Sequence, residues 1–384
     1  MDFLETEEQR MLREAVGTIA SKFGHSYFTE CARDGRKTDE LWGELAAAGY
    51  IGVNVPAEFG GGGMGIAELA IVAEELSAAG CPLLLLVVSP AICSTIIGRF
   101  GTDEQLGRWM GRFATGELKM AFAITEPDAG SNSHRISTTA RRDGDVYRIT
   151  GTKYYISGAD ECESVLLVTR SGVDEESGRS KLSLFVVDLE SPALSKTLIP
   201  VEIVAPEKQF TLFFDDVVVP AENLVGTEGD GLRQVFTGLN PERIMSAAMG
   251  SGMGRYALDK AAGYARDRSV WGTPIGRHQG ISHPLAKAKI DLELARLMCQ
   301  KAAWAFDAGL DAGEAANIAK YAAAEAAISA LDQAIQTHGG NGMSSEFGLA
   351  DMWGMARLLR TAPISREMIL NFVSQHSLGL PKSY

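Results

Sequence analysis

Apolar positions recur at helical spacing from the start of the chain. Met11, Leu12, Ala15, Val16, Ile19 and Ala20 fall on one face, behind Thr6 and Gln9 at capping-box spacing. Amphipathic runs follow over residues 39–48, 66–79 and 103–113. Residues 82–98 carry no charge. That run is short for a membrane span and Pro90 interrupts it, so a buried helix is expected. Near Met120 the pattern changes to short β-branched and aromatic runs (146–157, 164–170, 181–189, 210–219) separated by polar turns such as Arg142-Asp143-Gly144. This predicts an antiparallel β domain rather than βαβ units. Beyond Gly226-Thr227-Glu228-Gly229 the helical period returns, predicting helices over 231–267, 279–308, 313–338 and 347–376. The expected fold is α+β: a helical domain over 1–117, a β domain over 118–226 and a C-terminal four-helix bundle over 227–384.

Composition narrows the function classes. The 36 basic and 49 acidic side chains leave a net charge of −13, which disfavours nucleic acid and anionic membrane as partners. No CxxC or HExxH occurs, so no metal site is expected. Cys31, Cys81, Cys93, Cys162 and Cys299 are scattered and odd in number, and read as free thiols of a reducing, cytoplasmic compartment. The start, MDFLETEEQR, has neither the basic nor the apolar region of a signal peptide. Gly60, Gly62 and Gly65 formally match a dinucleotide fingerprint, but no strand precedes them, and a loop between helices is expected.

The informative stretch is Ala121-Phe-Ala-Ile-Thr-Glu-Pro-Asp-Ala-Gly-Ser-Asn132, an apolar strand running into a turn of hydroxyls and small residues. Such a turn offers backbone N–H groups and the Thr125 and Ser131 hydroxyls to a ligand rich in acceptors, such as a flavin or a phosphate. Here the chain resembles the acyl-CoA dehydrogenase family. The same resemblance recurs in order at Tyr155-Ile156-Ser157, Phe214-Asp215-Asp216-Val217, Val219-Pro220-Ala221-Glu222-Asn223-Leu224, Arg266-Asp267-Arg268, Trp271-Gly272, Gln279 and Gln336-Thr337-His338-Gly339-Gly340-Asn341-Gly342. It covers essentially the whole chain.

The resemblance implies a homotetramer with one FAD per subunit, α,β-dehydrogenation of an acyl-CoA thioester, and electron-transfer flavoprotein as acceptor. It places Phe122, Thr125 and Ser157 on the isoalloxazine, Tyr155 beside it and Ser131 near the pyrophosphate or the substrate. Arg268, Trp271, Gln279, Gln336 and Gly340 would hold FAD across a subunit interface, and Ser365 and Glu367 would lie at its adenine end.

The reaction needs a carboxylate over the thioester α-carbon, in a dry site that raises its basicity. Most of the family places that glutamate where this chain has Pro363. A minority, resembling isovaleryl-CoA and long-chain dehydrogenases, carries it on an earlier helix before an arginine. Glu242 and Arg243 fit that place, with Glu242 the expected base and Arg243 shaping the substrate path. A first-turn glutamate that stabilises the helix dipole, with Pro241 near N1, is the plainer alternative for Glu242. Pro363 also lacks the N–H that would polarise the thioester carbonyl, and the Ile364 N–H is the expected substitute. The other functional reading is a weak or partner-dependent subunit of the same fold acting on a carrier-bound acyl group.

Overall fold

The computed structural model describes residues 5–176 and 178–382, so the outermost ends of the first and last expected domains lie outside it. The N-terminal region contains α1 (Glu7–Asp34), α2 (Asp39–Ala47) and α3 (Ile66–Ala78). The Thr6–Gln9 capping box forms as expected. The Gly60–Gly65 stretch is a loop between helices.

The uncharged run folds as α4 (Leu84–Leu86), a π-helical segment (Val87–Cys93) and α5 (Ser94–Phe100). Pro90 sits in the π segment, where the missing N–H is accommodated by wider winding. This run is buried, and no helix among the described residues is long and apolar enough to cross a membrane. Helix α6 (Asp103–Ala114) closes the region behind a second capping box, Thr102 with Gln105.

The sheet strands are β1 (Met120–Ala123), β2 (Thr139–Asp143), β3 (Val146–Ser157), β4 (Ser164–Val173), β5 (Ser180–Asp188), β6 (Leu194–Ile199), β7 (Gln209–Pro220) and β8 (Leu224–Val225). Their order is β6-β7-β3-β2-β4-β5-β8, with β1 beside β4. The expectation of an antiparallel sheet needs one correction. β1 pairs β4 in parallel, and β2 meets β4 in parallel at Thr139–Arg170. The π-helical segment packs on β1, and the loop after β1 leads into β2, which lies beside the same strand β4, so no hairpin links β1 to its neighbour.

The C-terminal helices are α7 (Gly231–Asp267), α8 (Gln279–Asp307), α9 (Gly313–His338), α10 (Ala350–Leu358) and α11 (Arg366–Phe372). A short hairpin, β9 (Ser269–Val270) with β10 (Thr273–Pro274), joins α7 to α8. The single helix expected over 347–376 is divided instead. Its helical turns stop at Leu358, and α11 begins behind Ser365, whose Oγ accepts from the Met368 N–H at 3.3 Å. Pro363 explains the break: it has no N–H, and it disfavours helical backbone at the residue before it. The Ala362–Pro363 bond is cis.

One large core runs from α1 and α3 through the sheet into α7–α9, and a smaller one fills the space between α5, α6, the sheet and the start of α7. Helices α3 and α7 cross so closely that a Cβ on Gly252 would stand 2.2 Å from the Glu74 carbonyl oxygen. Beside that crossing Arg255 donates to Glu74 at 2.8 Å. The N-terminal helices are thereby fixed against the helix that carries Glu242.

Candidate active site

The loop after β1 is shaped by a buried carboxylate. Glu126 accepts from the Ser137 N–H and Oγ, both at 2.7 Å, from the Thr138 N–H at 2.9 Å and from Lys153 Nζ at 3.0 Å. Burial opposes its ionisation, but Lys153 and these donors outweigh it and hold Glu126 at about 2. Burial lowers Lys153 to about 8 against the pull of Glu126, so the pair is ionised at neutral pH. The loop lies tight on β3, where a Cβ on Gly151 would meet Thr138 Oγ1 at 2.4 Å. Ser131 is left exposed beyond the turn closed by Glu126 and Ala129.

This loop meets β3 at the residues the sequence singled out. The Thr125 carbonyl accepts from the Tyr154 N–H at 2.9 Å. The β3–β7 register shifts between Lys153 and Ile156, and Tyr155 sits there with φ 58°. That bulge turns Tyr155 out of the sheet, leaving it 52% exposed beside Tyr154. Ser157 follows, its Oγ donating to Gln209 Oε1 at 3.0 Å. Phe122 is half-buried on β1, which packs against β3. Phe122, Thr125, Tyr155 and Ser157 therefore share one end of the sheet.

A second group gathers at the far end of α7. The Arg268 N–H closes that helix on the Tyr264 carbonyl at 2.8 Å. Trp271, at φ 53°, is 90% exposed at the tip of the β9–β10 hairpin, and exposed Gln279 opens α8. His338 stacks on Tyr264 at 4.2 Å, and Asn341 donates to the Tyr264 hydroxyl at 3.1 Å. The Gln336–Gly340 turn is thereby clasped to the segment that bears Arg268, with Gln336 and Gly340 exposed. Of the remaining two residues, Ser365 caps α11, and Glu367 is exposed, accepting from Arg366 Nε at 3.0 Å.

Glu242 lies well inside α7, not in its first turn, so the plainer alternative fails. Burial pushes its carboxyl up to about 7, against the opposing charges of Arg243 and Lys320. Among the described residues no ion pair to it falls within 4.0 Å. Arg243 is buried, its Nη1 donating to Asn240 Oδ1 at 2.8 Å. Arg243 and Asn240 line a cavity of ≈ 610 Å³, closed opposite by Asn317 of α9, Ile364, and Met368 and Gln375 on and after α11. Asn317 is 3% exposed and its Oδ1 has no partner among the described residues. The cavity wall thus offers a guanidinium, several amides and Ile364, and the residue before its arginine in the chain is a carboxyl that burial raises to about 7.

Sequence reasoning missed Lys320, Lys153 and Asn317. Lys320 did carry a signal: it interrupts an alanine face of α9 (Ala316, Ala319, Ala323, Ala327) at helical spacing, where a lone lysine is out of place.

Comparison with known proteins gives a consistent result. Family models for the acyl-CoA dehydrogenase N-terminal, middle and C-terminal domains match residues 6–117, 121–217 and 229–378. Acyl-CoA dehydrogenase FadE12 of Mycobacterium tuberculosis is 56% identical over 384 residues, 100% of this chain and 99% of the relative. Butyryl-CoA dehydrogenase from Megasphaera elsdenii superposes with a TM-score of 0.93 at 27% identity, covering 99% of this chain and 100% of that one. The FAD complex of PigA superposes with a TM-score of 0.92 at 26% identity, covering 99% and 100%.

Proposed function

We infer the reaction from one premise: this chain belongs to the acyl-CoA dehydrogenase family, and is an acyl-CoA dehydrogenase. We propose that Glu242 takes the α-proton of the thioester and that FAD is the cofactor. The observation that carries this is Glu242 itself, a carboxyl pushed up to about 7 on α7, next in the chain to Arg243, which lines a cavity of ≈ 610 Å³.

The residues present fit FAD. Thr125, Ser131 and Ser157 supply hydroxyls, out-turned Tyr155 supplies an aromatic face, and the left-handed bulge that exposes it is a local backbone cost that leaves half the side chain exposed. Arg268, Gln279, Gln336 and Gly340 would hold the adenosine and pyrophosphate end, where a guanidinium fork suits phosphate. When bound, the flavin supplies the acceptor for the hydride that leaves the β-carbon. Ser365 and Glu367 would lie near the adenine.

The chain's own residues do the rest. Glu242 accepts a proton because burial has raised its basicity, and its helix position orients it. Arg243 and Asn317 present a donor and a buried acceptor to the amides of the substrate arm. The Ile364 backbone, lining the same cavity, stands in for the donor that Pro363 lacks.

The arm residues are exposed here, which supports assembly as a homotetramer in which each hairpin reaches a neighbour. Ile290, Leu294, Leu297 and Trp304 support the same reading, since they leave an exposed apolar stripe at helical spacing along α8. Electron-transfer flavoprotein is the acceptor we propose, and a cytoplasmic setting suits five buried free thiols.

Anaerobic titration with short, medium, long and branched acyl-CoAs tests this reading. One class should bleach the flavin band, and Glu242→Gln should keep the flavin while slowing bleaching by orders of magnitude. Unchanged bleaching in Glu242→Gln would end the assignment. A second reading, a weak or partner-dependent subunit acting on a carrier-bound acyl group, is favoured by Pro363. Loss of one oxyanion-type donor costs about 3 kcal/mol of transition-state stabilisation. A flavin band that survives every free thioester would select it.

A further inference from the structure

Lys320 is 1% exposed on α9, and its ammonium donates to the Ile364 carbonyl. An ammonium has three donors and is costly to bury without an anion. The charged groups around it are Glu242 and Arg243 across the α7–α9 contact, Glu325 on its own helix, and Glu367 on α11. Two of the three carboxylates are engaged elsewhere. Glu325 accepts from Arg360 Nε and Nη2, at 2.7 and 2.6 Å, and Glu367 pairs with Arg366. Among the described residues, Glu242 is left as the anion whose facing cations are Arg243 and Lys320, with Cys93 on the π segment a further titratable group near it.

We propose that Lys320 is a positioning residue for the dehydrogenation: its ammonium ties the Ile364 turn to α9 and faces Glu242 as a fixed counter-charge. This rests on the reading of Glu242 as base. Two site elements come from distant segments, the carboxyl from α7 and the backbone turn from the α10–α11 connection. Lys320 is the side chain that touches one and is charged toward the other. Burial lowers Lys320 to about 8 while Glu242 sustains its charge, so the counter-charge is present at neutral pH. The sequence supports the need for such a tie. Pro363 cannot donate, and the residue whose N–H would take over is held at its other end, where the Ile364 carbonyl is bound from α9.

The test is a pH series of anaerobic flavin reduction by the best thioester, for the wild type, Lys320→Met and Lys320→Arg. Thermal denaturation of each protein is followed over the same pH range. In the wild type the rate rises through about 7 as Glu242 loses its proton. Without the counter-charge the rising limb of Lys320→Met should move up by about 1–2 pH units. Lys320→Arg should bring the limb back to within about half a unit. In the Glu242→Gln background, which binds thioester without turning it over, Lys320→Met should weaken binding several-fold as the Ile364 turn loosens.

A limb that stays in place in Lys320→Met would overturn the proposal, as would a uniform loss of rate at every pH that Lys320→Arg does not repair. Should Lys320→Met fail to fold, Lys320→Gln carries the same prediction. The premise fails separately: if Glu242→Gln reduces flavin like the wild type, the base is elsewhere, whatever Lys320 does.

Discussion

Lys153 Nζ lies 3.0 Å from Glu126 Oε1 and 3.0 Å from the Ile124 carbonyl oxygen, so one buried ammonium holds both sides of Thr125, and Glu126 in turn ties Ser137 and Thr138 across the loop that carries Ser131. Removing it leaves an unpaired buried carboxylate, and breaking a buried pair costs about 3–5 kcal/mol. Lys153→Met should lower the melting temperature and release flavin during purification. The flavin-to-protein absorbance ratio and a melting curve check this. Glu126→Gln combined with Lys153→Met should recover part of the stability, because no charge is then stranded.

The proposed role of Glu242 predicts an acidity profile of turnover. With the carboxylate as the proposed acting form, flavin reduction should be slow below pH 6, rise tenfold per unit, and level off above about 7. Rapid-mixing rates across pH 5.5–9 would show the limb. Its absence from an otherwise active enzyme would assign the proton to another group.

Glu207 is 4% exposed. One carboxylate oxygen accepts from the Leu85 N–H at 3.3 Å, and the other has no partner among the described residues. Burial and nearby Glu161 push it up to about 7. The folded state therefore holds this proton more tightly than the unfolded chain does. Stability falls as pH rises from the ordinary carboxylate range through about 7. Glu207→Gln keeps an acceptor for the helix start and removes the penalty. Denaturant unfolding should show little change at pH 5 and a gain of up to about 3 kcal/mol at pH 8.

The α8 stripe gives the fourth prediction. Leu294 is 62% exposed in the middle of it. Leu294→Glu should reduce the sedimenting mass to a smaller species and lower flavin retention with it. An unchanged mass would place the assembly face elsewhere.

Much of this arrangement was legible in the residues. Long periodic helices such as 231–267 and 313–338 were readable to the end because Gly and Pro punctuate them, and the 121–132 stretch pointed to the family. The 347–376 segment was misjudged because its apolar period continues through Pro363 while the backbone cannot. The parallel seat of β1 was invisible because a four-residue strand carries no sign of its partner. Lys320 and Lys153 were missed for a common reason. A lysine read along the chain is a solvated charge, and only the packed structure shows the carbonyl and carboxylate it has been enclosed with.

The length of α7 has a last consequence. The helix runs unbroken from Glu242 to Arg268, roughly 40 Å at 1.5 Å per residue. The proposed base and the arginine before the hairpin are thus held far apart on one rod. Under the proposed assembly, a chain that offers its carboxyl to one flavin would lend its guanidinium to another, and the working unit would be a pair of chains. A subunit defective at one end and a subunit defective at the other would together rebuild one intact centre that neither could form with its own kind.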